Sequence, residues 1–220
     1  MICLMGVFAI LLHYGFTYVG LSVTEGSKAA ILKQTAPLLF SCFSFLFIKG
    51  ESFSAKKMLG AIMGFSGIIA INAGAAFHGF SAGDMLIILA SLCTVISMII
   101  SGRISKGVSP LWITGISQLF GGAALFLISL AVGGKLPSFT LSAALLFLCI
   151  CAASITGYTL FYFVQRTAEL SRLFIIKFAE PLFACIFSAM LLGENILKPQ
   201  YLAAFLLISL GIIAANSEKE

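Results

Sequence analysis

Lys33, Lys177 and Glu180 are the residues best placed to do chemistry in this chain: each is ionisable and each lies inside a long apolar run. A lysine at the centre of a membrane span costs roughly 2.5–3.5 kcal/mol on insertion scales, so it must face a partner or a polar cavity. Both lysines stand four residues before a proline, Pro37 and Pro181. Proline has no N–H and its ring obstructs the carbonyl four residues back. Each helix is therefore expected to kink and to present a bare lysine carbonyl beside an ammonium, which is a surface for an anionic group. Gln34 adds a carboxamide at the first of these kinks. Snorkelling of each lysine to the nearer headgroups is the structural alternative. Glu180 follows Lys177 by three residues, a spacing that allows an ion pair on one helix face, whether structural or opened by substrate or a proton.

Tyr14 and Tyr158, with Tyr18 and Tyr162 four residues on, are further candidates, as cavity lining or as packing. Gln118 and Trp112 join them as candidate lining residues. His13 reads more simply as a satisfied core histidine. The six cysteines, Cys3, Cys42, Cys93, Cys149, Cys151 and Cys185, all lie in apolar runs and read as buried small hydrophobes. No metal site and no cofactor is expected. There is no HExxH, no G-x-S-x-G, no ATP-binding motif and no His/Asp or Cys/His pair, so the chain reads as a non-enzyme.

The elements that carry these residues are spans. Sixty per cent of the 220 residues are apolar and 10% are charged, with a mean hydropathy of +1.13; soluble domains carry about 25% charged residues. Continuous apolar runs, rather than alternating ones, indicate helices and not a β-barrel. Eight spans are expected, near 2–23, 27–48, 58–75, 84–102, 110–132, 142–164, 171–192 and 201–215. The net charge of +5 is scattered between them, with no patch to suit a nucleic acid. Lys49, Lys56, Lys57, Arg103, Lys106, Arg166, Arg172 and Lys219 fall on one set of connections, against Lys28, Lys135 and Lys198 on the other. The richer set is expected to be cytoplasmic, which puts both ends of the chain there.

The chain also repeats. A shift of about 144 positions lays Ser27 on Ser171, Lys28 on Arg172, Lys33 on Lys177, Pro37 on Pro181, Tyr14 on Tyr158 and Glu25 on Glu169. SGIIAINA from Ser66 falls on LGIIAANS from Leu210. The topology puts equivalent turns on opposite sides, so the repeats are expected to be inverted, as in many secondary transporters. The first, of three spans, covers 1–76; the second, of five, covers 82–216. Subtracting the offset from the second repeat's start implies that two helices of the first are not in this chain.

ILKQTAPLLFSCFSFLFIKGE with GIIAINA, and IIKFAEPLFACIFSAMLLGE with GIIAAN, together resemble the EamA repeat of the drug/metabolite transporter superfamily. GDMLIILASLCTVISMIISGR followed by SPLWITGISQLFGGAALF resembles the opening of such a repeat. The resemblance covers nearly the whole chain. It implies an all-α, polytopic transmembrane bundle of two inverted five-helix repeats, in which the helices at 27–48 and 171–192 line a central cavity. The expected protein is a multi-pass permease or exporter of the plasma (inner) membrane that moves small metabolites or drug-like solutes by alternating access. Its partners would be a small-molecule substrate and the lipid bilayer. Because two helices are not accounted for, a homodimer or a role as a non-transporting fragment or accessory subunit is the alternative.

Overall fold

Apolar runs of about 20 residues must satisfy every backbone group internally in lipid, and helices do so. The computed structural model describes residues 1–24, 26–46, 52–71, 79–134, 140–192 and 199–217. Among these residues it is helical with no strand, and its segments group into eight helices. We label them α1 (Ile2–Leu21), α2 (Gly26–Leu46, in pieces), α3 (Ala55–Ile71), α4 (Ala82–Ile104), α5 (Pro110–Ala131), α6 (Leu141–Val164), α7 (Leu170–Leu192, in two pieces) and α8 (Pro199–Asn216). Among the described residues, five stretches are long and apolar enough to cross a membrane: Ile2–Leu21, Lys28–Leu46, Ala82–Ile104, Pro110–Ala131 and Leu141–Val164. Glu51, Glu194, His78 and the tail lie outside the described residues, as do Lys49, Lys135, Lys198 and Lys219.

Helix starts follow local chemistry. Pro110 opens α5 behind Ser109, where a missing N–H costs nothing. Thr140 caps α6 by accepting from the Ala143 N–H. Ser54 accepts from the Lys57 N–H, so α3 begins at Ala55 rather than near residue 58 as expected from hydropathy. Inside α1, Val7–Leu12 forms a π turn ahead of His13 and Tyr14.

The chain divides into two compact units. The first comprises Met1–Gly15 and Ile96–Ala168. Here Gly6 and Gly121 let α1 and α5 touch backbone to backbone: a Cβ on Gly6 would lie 2.6 Å from the Ser117 carbonyl oxygen. Met5, Ile100, Ile113 and Tyr162 form its core. Gln165 donates to the Met98 carbonyl and accepts from Ser101, both on α4. Leu145, Leu146, Phe147 and Leu148 of α6 are exposed, which suits a lipid solvent. Cys3 and Cys149 are exposed too, so the expectation that every cysteine is buried is corrected: a thiol tolerates lipid as readily as a core.

The second unit comprises Phe16–Val95 and Glu169–Glu220. Its core is Ala61, Ile68, Ile175, Phe178, Ile208 and Ala215. α3 and α8 pack along their lengths through Gly60, Gly64, Gly67 and Gly211. Gly60 faces Gly211 and Ala215, whereas Gly67 faces Ala204 and Ile208, so the two helices run antiparallel. Small residues permit this approach, which is how helices gain contact where lipid gives no hydrophobic drive.

Candidate functional site

α2 and α7 occupy equivalent places in the repeat and both break at equivalent points. In α2, Gly26–Leu32 stops at a turn of Lys33 and Gln34, and Thr35–Phe43 resumes. In α7, Leu170–Lys177 stops at Phe178 and Ala179, and Glu180–Leu192 resumes. Pro37 and Pro181 sit in the first turn of the resuming segment, where a missing N–H is tolerated, and cannot continue the segment before it. The helical hydrogen bonding is thus interrupted next to each proline, while Gln34 and Phe178 keep right-handed helical backbone angles.

The pieces cross antiparallel inside the second unit. The Phe40 and Phe174 rings are 4.7 Å apart between centroids, and Ser41 Oγ donates to the Ser171 carbonyl at 3.4 Å. This crossing brings the two breaks near each other: Lys33 lies within electrostatic range of both Glu180 and Lys177. Lys33 and Gln34 are half-buried. Lys177 Nζ is 3.6 Å from Glu180 Oε1. The pair does not share one continuous helix face, as the spacing suggests; it bridges the break. Glu180 begins its helical segment, where a negative charge is favoured by the helix dipole. Ala36 holds the aligned position in α2, so α2 supplies no such carboxylate to Lys33.

The bare carbonyl expected at Lys33 is corrected. Ser91 of α4 is 1% exposed. Its Oγ donates to the Lys33 carbonyl at 2.6 Å and accepts from the Ala36 N–H at 3.2 Å. The second break is held differently. Phe178 is fully buried and rests against Gly64, where a Cβ would lie 2.6 Å from its ring.

Two charged clusters also lie in this unit. Asp84 is buried; it accepts from Lys28, Thr24 and the Ser81 N–H. Glu169 pairs with Lys57 and Arg172, each at 2.7 Å. Desolvation pushes the Glu169 carboxyl up, but the Lys57 hydrogen bond and the charges of Lys57 and Arg172 outweigh it and hold it below its ordinary value. Lys28 and Arg172 are repeat partners, a signal in the alignment that could have exposed both clusters.

In the first unit, Tyr14 and Tyr158 meet, hydroxyl to hydroxyl, at 3.3 Å. Their successors differ: Tyr162 is 5% exposed and Tyr18 63%, although the repeat equates them. The side-chain amide nitrogen of Gln118, on α5, is buried without a hydrogen-bond partner among the described residues. Trp112 is exposed.

Several helices of membrane-crossing length define a polytopic helical membrane protein. The EamA-like transporter family model matches residues 1–73 and 81–217, and the chain belongs to that family. It is 27% identical to the uncharacterized transporter YvbV of Bacillus subtilis, covering 96% of this chain and 70% of YvbV. It is 28% identical to the uncharacterized inner membrane transporter YedA of Escherichia coli K12, over 83% of this chain and 61% of YedA. A WAT1-related chloroplastic protein of Arabidopsis thaliana, At3g02690, is 26% identical and is spanned over 48% of its length. One crystal structure superposes with a TM-score of 0.79 at 20% identity, covering 95% of this chain and 76% of that one, a likeness of fold.

Proposed function

We propose that this chain works as a secondary transporter of small anionic or zwitterionic solutes, with the substrate's anionic group held at the facing breaks of α2 and α7. The observation that carries this reading is the convergence of Lys33, Lys177 and Glu180 at two helix breaks within one compact unit. Among the described residues, two ammonium groups stand against one carboxylate here, which suits an anionic group. Lys33 is the group that receives the anion, since its own helix supplies no carboxylate. Lys177 and Glu180 form the pair that substrate or a proton opens. Gln34, beside Lys33, supplies a hydrogen-bonding group for the rest of the solute.

The antiparallel packing of α2 on α7 and of α3 on α8, each a repeat-related pair, supports an inverted repeat and alternating access about the breaks. Both ends of the chain face the cytoplasm on this reading, following the distribution of Lys and Arg. Purified protein reconstituted in liposomes tests the proposal. Saturable uptake of members of a panel of small organic anions is expected. A sealed, correctly folded preparation that moves none of them would favour the accessory-subunit reading.

A further inference from the structure

A break in a membrane helix leaves a donor and an acceptor that lipid cannot satisfy. In α2 the pair is defined: the Ala36 N–H has lost its rung to Leu32, and the Lys33 carbonyl has no N–H at Pro37 to accept from. One hydroxyl, from a different helix, meets both. Ser91 Oγ donates to the Lys33 carbonyl at 2.6 Å and accepts from the Ala36 N–H at 3.2 Å, and Ser91 is 1% exposed. Such a contact fixes where the backbone of Lys33 sits and hence where its ammonium starts from. The second break has apolar support instead, Phe178 seated on Gly64. The two lysines therefore answer to different residues.

We infer that Ser91 is a positioning residue for Lys33: it clamps the α2 break in the geometry that presents the Lys33 ammonium, and Lys177 does not depend on it. The inference rests on the proposed reading of Lys33 as the anion-receiving group. The clamp is needed only because position 37 lacks an N–H. Pro37→Ala restores that donor and lets the helix close its own rung, which makes Ser91 dispensable.

Site-resolved acylation tests this without a known substrate. Purified full-length protein is treated with a negatively charged, amine-reactive acylating reagent, and mass spectrometry gives the labelling rates of Lys33 and Lys177 separately. Ser91→Ala is expected to change the Lys33 rate about fivefold, the worth of one net hydrogen bond, while Lys177 labels as in wild type. In the Pro37→Ala background the same substitution should leave Lys33 unchanged. Ser91→Cys, close in size with a weaker donor, gives an intermediate Lys33 rate and serves if Ser91→Ala does not fold. An unchanged Lys33 rate, or equal changes at Lys33 and Lys177, overturns the inference. Protection of Lys33 by inorganic phosphate or acetate reads the anion proposal separately. Failure of protection with a Lys33-specific effect of Ser91→Ala would sink that proposal and leave the positioning role standing.

Discussion

Glu169 shows how a single side chain ties elements together. It sits between α6 and α7 and holds Lys57, at the start of α3, and Arg172, in the first turn of α7. Its carboxyl is held below its ordinary value, so the folded protein binds the proton less readily than the unfolded chain. The stability this adds is present above the unfolded-state value and is lost as pH falls through the folded one. Thermal melts in detergent across the acid range should therefore show Glu169→Gln less stable than wild type near neutrality and flatter with falling pH. Parallel melting curves at every pH would contradict the assignment. The sequence revealed Lys33, Lys177 and Glu180 because charges inside apolar runs stand out. It hid Ser91, since a serine in a span costs little and signals nothing. It hid the burial of Asp84 because a carboxylate at a helix start reads as solvated until its partner Lys28, in another helix, is placed beside it.

At the scale of elements, the α3–α8 contact is set by glycines rather than by large apolar side chains. A Cβ on Gly211 would lie 2.6 Å from the Gly60 carbonyl oxygen, and backbone cannot yield as a side chain can. Gly211→Ala should then cost about 1–3 kcal/mol of stability, the range for overpacking a filled interface. Gly157, in the exposed stretch of α6, meets nothing within 4 Å. There the same change should stabilise by about 0.5–1 kcal/mol, because only the helix propensity of alanine acts. Denaturation of the two variants side by side checks the contrast, and equal effects would refute it. Helix number and order were legible in hydropathy. The prolines marked where the hydrogen bonding of α2 and α7 lapses, but not that Ser91 and Gly64 of other helices meet those points. The glycines of α3 gave no sign of which helix they meet, since spacing along one helix does not name its partner.

At the scale of the molecule, repeat-related residues meet one another. Tyr14 bonds Tyr158, α3 packs on α8, and the break of α2 lies near that of α7. Equivalence stops at the side chains: Glu180 answers to Ala36, and buried Tyr162 to exposed Tyr18. The proposed site is thus symmetric in backbone and asymmetric in charge, so its two lysines should not be interchangeable. Anion uptake into liposomes by wild type, Lys33→Ala, Lys33→Arg and Lys177→Ala, at matched protein content, is the most direct measurement. The account predicts that Lys33→Ala abolishes uptake, that Lys33→Arg retains part of it through its conserved charge, and that Lys177→Ala weakens it by a different amount. Anion uptake by Lys33→Ala equal to wild type would contradict it.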